Sequence, residues 1–505
     1  MKAGIRRAAV IVPHQDDEIL IGGAMLVELI RSHDWEVHVI YMTNGDSRGS
    51  WEAKIRMQDA CNVLGFLGLP QKYIHFLGYA NRWQGNVHIY NASDENEILI
   101  SRSGKDETYG APAIPEFIYE REKAHHKYTR KNLKIDLKAI LKEIFPDLCI
   151  VTDLDKHEDH RALSLLSEEC IGELIKEERD YSPLVLKRFA YNGVWKGEKD
   201  YWEIPHKPTM MGDGVAHPYY AWDERIRFAV PRDCRTALLH KNTLFRTSEL
   251  YRTQYVWTRA AGYLNADICF WQRHSDNLAL HAEIKVSSGN AEKLNDFKLV
   301  DSADVRDTVQ QDFSAGGWSP AAEDMQKEIV ILFKESVTVR SIVIYECSPL
   351  NNGISRIKLA LDDRFEKEIS IEARKRNKIE IEGGGLTKIK KIKISIMESY
   401  GHIIGISEIE VFDQMKAPEE YGIPADQYIE TDEKISIGLK KLMMLEKNWM
   451  TFKEHWARDI WLPKWELCNV YPILLKQNYL YFPLQIYQIC KKIFNKVMRS
   501  KGSQR

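Results

Sequence analysis

Two short apolar runs, Ala8 to Val12 and Leu148 to Thr152, each lead into a polar cluster and then into a helical period. The first run ends at Pro13 and has the pattern of a strand buried on both faces. Behind it, Ile19, Leu20, Met25, Leu26, Leu29 and Ile30 mark one face of a helix over 18–32. The second run is followed by Leu163, Leu165, Leu166, Ile171 and Leu174, which predict a helix over 158–177. Further strands are predicted at 36–42, 73–77 and 185–191, and helices at 51–65 and 131–145. Strand-helix alternation of this kind predicts an α/β fold with a Rossmann-like, mostly parallel sheet and right-handed crossovers. Gly22 and Gly23 are costly inside a helix and mark close approach of helix and sheet.

From about residue 290 the period changes to two. Strands are predicted at 329–333, 337–345, 357–361, 367–371, 378–381, 390–396 and 407–412, with Gly383, Gly384 and Gly385 as a turn. Many short strands of this type predict an all-β antiparallel sandwich. From about 415 the chain reads as a helical, aromatic-rich tail. No acid follows Glu466, and Ile486, Ile489, Ile493, Phe494 and Val497 recur at helical spacing between Pro483 and Arg499. Such a helix either docks on the protein or lies on an anionic membrane surface. Three regions are therefore expected: 1–285, 290–414 and 415–505. Within the first, 82–130 is long and irregular, and Trp83, Tyr90 and Tyr109 are candidates for a wall that stacks sugars or for a packed loop.

Composition narrows the picture only a little. A chain of 505 residues holds more than one core. With 44% hydrophobic and 29% charged residues it is ordinary for a soluble protein, and a net charge of −2 argues against a nucleic-acid partner. The eight cysteines are scattered without a C-x-x-C pair, which fits free thiols in a reducing, cytoplasmic setting.

The chemistry lies in the polar clusters. His14, Gln15, Asp16, Asp17 and Glu18 follow the first strand, and Asp153, Asp155, His157, Glu158, Asp159 and His160 follow the second. Parallel strands can bring both clusters to one sheet edge, where open α/β sheets bind ligands. Imidazole nitrogen and carboxylate oxygen together suit Zn²⁺. Acids and histidines at strand ends also cap helices, so either cluster alone is ambiguous.

The motifs His14-Gln15-Asp16-Asp17-Glu18 and His157-Glu158-Asp159-His160 resemble those of the PIG-L/LmbE-like zinc-dependent N-deacetylases, His-Pro-Asp-Asp-Glu and His-Pro-Asp-His, with both prolines replaced. Arg252-Thr253-Gln254 and Phe270-Trp271 resemble later elements of that family, which extends the likeness over roughly 1–280. The resemblance implies His14, Asp17 and His160 as metal ligands and Asp16 as general base. It implies His157 as a cation facing the oxyanion, with Asp159 orienting it. It also points to Arg56 and Asn81 as substrate-binding residues, Arg56 having a surface pair with Asp59 as its other reading. The implied reaction removes an N-acetyl group from an amino-sugar conjugate of the N-acetylglucosamine type, with Zn²⁺ as cofactor. A catalytically inactive glycan-binding protein, or a hydrolase of another bond, are the other readings. The runs Val337–Tyr345 and Gly405–Phe412 resemble the discoidin-like jelly roll, with Trp318 as a core residue. That resemblance implies a glycan as a further partner. A lipid-linked substrate would make the C-terminal basic helix a peripheral contact at the inner face of the membrane.

Overall fold

Nothing polar interrupts Ala8 to Val12, and all five residues are fully buried in β1 (Arg6–Val12). The computed structural model describes residues 5–85, 87–155, 157–191, 195–196, 207–211, 217, 219–236, 238–300, 317–425 and 436–456. β2 (Trp35–Thr43) and β3 (Ile74–Tyr79) continue the sheet on one side of β1, and β4 (Leu148–Thr152) and β5 (Leu184–Arg188) on the other, all parallel. α1 (Gly23–Arg31) and α2 (Ser50–Leu67) pack with Ala8, Val10 and Val12 on one face. Beyond the short α3 (Phe117–Glu122), α4 (Arg130–Ile144) and α5 (Glu158–Glu177) pack with Ala9 and Ile11 on the other.

After β5 the chain departs from the expected parallel pattern. Beyond a two-residue ribbon, β6 (Trp195–Lys196) with β7 (Met210–Met211), come β8 (Ile226–Ala229) and β9 (Asp267–Arg273), which close the sheet antiparallel in the order β3-β2-β1-β4-β5-β9-β8. A parallel neighbour needs a long crossover, usually a helix. The described residues between β5 and β9 offer only the six-residue α6 (Thr243–Ser248) and single turns.

The sandwich begins at β10 (Glu283–Val286), which pairs with β11 (Glu328–Val339). β12 (Ser341–Glu346), β13 (Gly353–Leu361), β14 (Phe365–Ser370), β15 (Arg376–Glu380), β16 (Leu386–Tyr400) and β17 (Ile406–Phe412) complete it. The sheets run β10-β11-β16-β13-β14 and β15-β12-β17. The single strand expected over 337–345 is two: the chain leaves one sheet at Val339 and enters the other at Ser341, with Arg340 as the crossing point. Trp318 is fully buried in the sandwich core.

The two architectures share a core. Along β12, Ile342 and Ile344 enter the sandwich interior, while Val343 and Tyr345 join the cluster that holds Trp271, Leu299 and Val300. The chain from Met1 to Lys434 accordingly forms one compact unit. After β17 it returns to β1 through a turn at Pro418–Tyr421, where Nη1 of Arg6 donates to the Tyr421 carbonyl (2.9 Å). α7 (Ile437–Trp456) belongs to a second unit. The basic segment from Pro483 to Arg499 lies outside the described residues. Among those described, no helix is long and apolar enough to cross a membrane.

Candidate metal centre and active site

β1 and β4 are hydrogen-bonded neighbours, with Ile11 opposite Val151, and the strand order reverses between them. The two polar clusters therefore leave the sheet side by side, at the crevice where such a reversal opens a ligand site. Pro13 ends β1, and a tight turn carries His14 to Asp17 into a π-helical turn, Glu18–Gly22. On the other side His157 caps α5, its Nδ1 accepting from the amide of Asp159 (3.2 Å).

His14 Nδ1 lies 3.0 Å from Asp17 Oδ2, His160 Nε2 lies 3.2 Å from the same oxygen, and the two nitrogens are 3.3 Å apart. All three residues are at most 3% exposed. Donors about 2.0–2.2 Å from a tetrahedral zinc stand about 3.3 Å from one another, so this triangle has the size of a metal site. The second oxygen of Asp17 is buried and has no hydrogen-bond partner, which a cation would supply. Each histidine is gripped from behind: Asp159 Oδ2 is 2.9 Å from His14 Nε2, and Asp155 Oδ2 is 2.7 Å from His160 Nδ1. Carboxylates on the far nitrogen are the usual support of ligating imidazoles.

His157 also brings a ring nitrogen within 4.8 Å of those of His14 and His160. Its side chain is 35% exposed and its Nδ1 already accepts a backbone proton, so Asp17 is the better third donor. Charges follow the same geometry. Burial opposes a cation at His160, but Asp155 and Asp17 outweigh it and raise the pKa to about 10. Asp17 is held well below the usual carboxylate range: burial opposes this, but His160 and His14 overcome it. His157 is pushed down to about 3 by burial and by the neighbouring His160 and His14.

The expectation of a cationic His157 is corrected by its hydrogen bond: an Nδ1 that accepts the Asp159 amide carries no proton, which leaves the ring neutral with its N–H at Nε2. Asp159 differs too. Its carboxylate is 3.9 Å from His157 Nδ1, beyond a hydrogen bond, and is engaged by His14 and by His88 Nε2 at 2.7 Å. Arg56 likewise turns inward rather than toward a ligand. It is 4% exposed, and its Nη2 donates to the Gln15 carbonyl (2.9 Å) and to Asp16 Oδ1 (3.1 Å). Asp59, its expected surface partner, binds Nε of Arg252 instead (2.6 Å). Asn81 does reach the site, with Oδ1 3.2 Å from His14 Nε2.

Arg259 holds the other oxygen of Asp16 at 2.9 Å and donates to the hydroxyl of Tyr191 (3.1 Å), whose ring stacks on His160. Asp46 accepts from the Asn81 amide, Ser103 and Tyr109, tying the irregular segment to the sheet edge. Of the aromatic candidates, Trp83 and Tyr90 are packed in the core. The roles of Asp155, His88, Tyr191 and Arg259 escape the sequence reading. Asp155 stands inside the second cluster and is marked only by its acidity, Tyr191 ends the strand predicted over 185–191, and His88 and Arg259 sit in segments without a period.

Residues 9–171 match the family model described as GlcNAc-PI de-N-acetylase, so this part of the chain is a PIG-L domain. Among solved structures, the chain is similar to the N,N′-diacetylchitobiose deacetylase of Pyrococcus horikoshii, at 15% identity over 54% of this chain and 84% of that one, with a TM-score of 0.29. It is also similar to the family 32 carbohydrate-binding module of Clostridium perfringens NanJ in complex with galactose, at 15% identity over 26% of this chain and 95% of that one, with a TM-score of 0.20. No curated protein matches the chain.

Proposed function

From the PIG-L domain at 9–171 as premise, we propose that the protein is a zinc-dependent hydrolase that removes the N-acetyl group from an N-acetylglucosamine-type conjugate and releases acetate. The observation that carries this reading is the triangle of His14 Nδ1, Asp17 Oδ2 and His160 Nε2, with an unpaired carboxylate oxygen at its edge. His14, Asp17 and His160 would hold the ion. A zinc ion there supplies Lewis acidity, polarising the amide carbonyl and making attack by water accessible near neutral pH.

The chain's own groups do the rest. Asp16 stands next to Asp17 and takes the proton of the attacking water. Arg56 and Arg259 each hold one of its oxygens, which leaves each oxygen a lone pair for that proton. The proton then passes to the departing amine. His157, at the exposed rim, directs Nε2–H at the oxygen where negative charge develops, as a neutral donor. Asn81, beside His14, and Arg259, on Asp16, are placed to meet the sugar.

The test is acetate release from N-acetylhexosamine conjugates by purified, zinc-loaded protein, with metal content measured alongside. Asp16→Asn is expected to lower kcat by about 10²–10⁴-fold with zinc content unchanged. Protein that holds zinc and binds glycans but never releases acetate would move the reading to a binding protein. Protein that holds no metal at all would remove its support.

A further inference from the structure

The face that β15-β12-β17 turns toward the α/β core carries a charge. Glu410 on β17 is fully buried, its Oε1 accepting from Arg273 Nη1 on β9 and its Oε2 from the hydroxyl of Tyr345 (2.9 Å). Arg273, 1% exposed, donates Nη2 to the Phe297 carbonyl (2.8 Å). Its Nε stands 3.6 Å from Glu168 Oε1 on α5 and makes no hydrogen bond. The same oxygen of Glu168 lies 2.5 Å from Lys187 Nζ on β5, which also reaches Ser164 Oγ (2.6 Å) and Asp153 Oδ1 (3.2 Å). Asp153 follows β4; its Oδ1 also accepts from the Leu154 amide and its Oδ2 lies 3.0 Å from His217 Nε2. Its carbonyl accepts from the amide of Asp155, the residue that grips His160. Carboxylate, guanidinium, carboxylate, ammonium and carboxylate thus alternate from the sandwich to the edge of the site, each at most 3% exposed.

We propose that Glu410 of the β-sandwich is a positioning residue for the metal centre, acting through Arg273, Glu168, Lys187 and Asp153 on Asp155 and His160. This rests on the metal reading above. Charges this deep are screened by neither water nor salt, so removing one leaves its neighbour uncompensated and forces it toward another partner. Glu168 Oε1 already serves two cations. Without the Glu410 carboxylate, the Nε of Arg273 closes on Glu168. Lys187 then shifts toward Asp153 and Ser164, and the turn that carries Asp155 follows. The alternation makes the sandwich part of the active-site scaffold rather than an accessory module on a tether. A pair serving only to join the two architectures would cost stability when broken and leave the metal centre as it was.

The test uses the full chain, stripped of metal and titrated with Co²⁺, reading affinity and the visible absorption band. Wild type is expected to bind Co²⁺; failure to bind would sink the metal reading, and this inference with it. Given binding, Glu410→Gln is expected to weaken Co²⁺ about tenfold, the lower range for outer-sphere partners of a ligand, and to change the band. Tyr345→Phe, a milder change at the same carboxylate, shifts both in the same direction by less and serves if Glu410→Gln does not fold. The pair Arg273→Met with Glu410→Met removes one charge of each sign, so the net charge of the buried row is unchanged, and it is expected to recover most of the lost affinity. Val411→Ala, buried on the same strand but facing the sandwich interior, lowers stability without touching the band. A folded Glu410→Gln with wild-type affinity and spectrum overturns the proposal while the metal reading stands. So does a Val411→Ala variant that perturbs Co²⁺ equally.

Discussion

Asp16 holds φ at 142°, a region that residues other than glycine seldom enter. A conformation of this kind costs about 1–3 kcal/mol and persists where its surroundings over-determine it. Here they do: Arg56 and Arg259 fix both carboxylate oxygens, and the Asp16 amide donates to Glu18 Oε2 (3.0 Å). The strain lies at the residue next to Asp17, in the site where the proposed function needs a side chain of fixed aim. A second buried acid gives a measurable pH dependence away from the site. Asp136 on α4 is fully buried, and burial pushes it up to about 6 against hydrogen bonds from Tyr79 and His126. Its unfolded value is about 3.9, so folding disfavours its charged form. The stability this lends is complete below about pH 4 and is lost as pH rises through 6, a span worth about 3 kcal/mol. Urea unfolding at pH 4 and pH 7 should show wild type losing about that much relative to Asp136→Asn over the interval. A difference between the two proteins that stays constant with pH overturns the assignment.

Among the elements, α5 carries the most. Its first turn supplies Asp159 and His160, and two turns later it presents Glu168. Its Gly172 lets the segment from Asp296 pass at close range: a Cβ there would stand 2.6 Å from Phe297 Cβ and 2.8 Å from the Asp296 carbonyl oxygen. Gly172→Ala gains about 1 kcal/mol of helix propensity, but forcing backbone apart in a packed core costs about 1–3 kcal/mol or more. The variant should therefore unfold at lower urea concentration than wild type; a higher midpoint would show that the segment yields freely. Gly23 illustrates how far patterning carries. The helix predicted over 18–32 breaks there, since Gly23 takes φ 47° and a Cβ would meet Ile268 at 3.0 Å. The glycine pair announces close approach, but β9, which carries Ile268, comes from so far along the chain that the partner is invisible in the sequence. The run 337–345 is a similar case: alternation continues across Arg340, while the chain changes sheets.

On the scale of the whole molecule, the α/β sheet and the sandwich are expected to unfold together, because they share a core. Tyr345 and Phe412 sit in the same cluster as Trp271, and Glu410 is paired across the junction. Calorimetry of the full chain should give a single cooperative transition for these two architectures; two separate transitions for them would mean that the shared core contributes little. β1 to β5 and α1, α2, α4 and α5 were legible because each is a local run with one period, and the two polar clusters because each is contiguous. Glu408 and Glu410 were not. In a period-two strand they read as a wet face, yet both are fully buried against the α/β core. By itself the sequence determined the order of strands and helices from β1 to β5, apart from α3, and the two polar clusters, because periodicity and contiguous motifs are local properties. Only the tertiary structure decided that Asp159 holds His14, that Arg56 and Arg259 share Asp16, and that a carboxylate of the sandwich reaches toward the site, because those pairings join residues between 40 and 243 positions apart and depend on which faces the packing brings together.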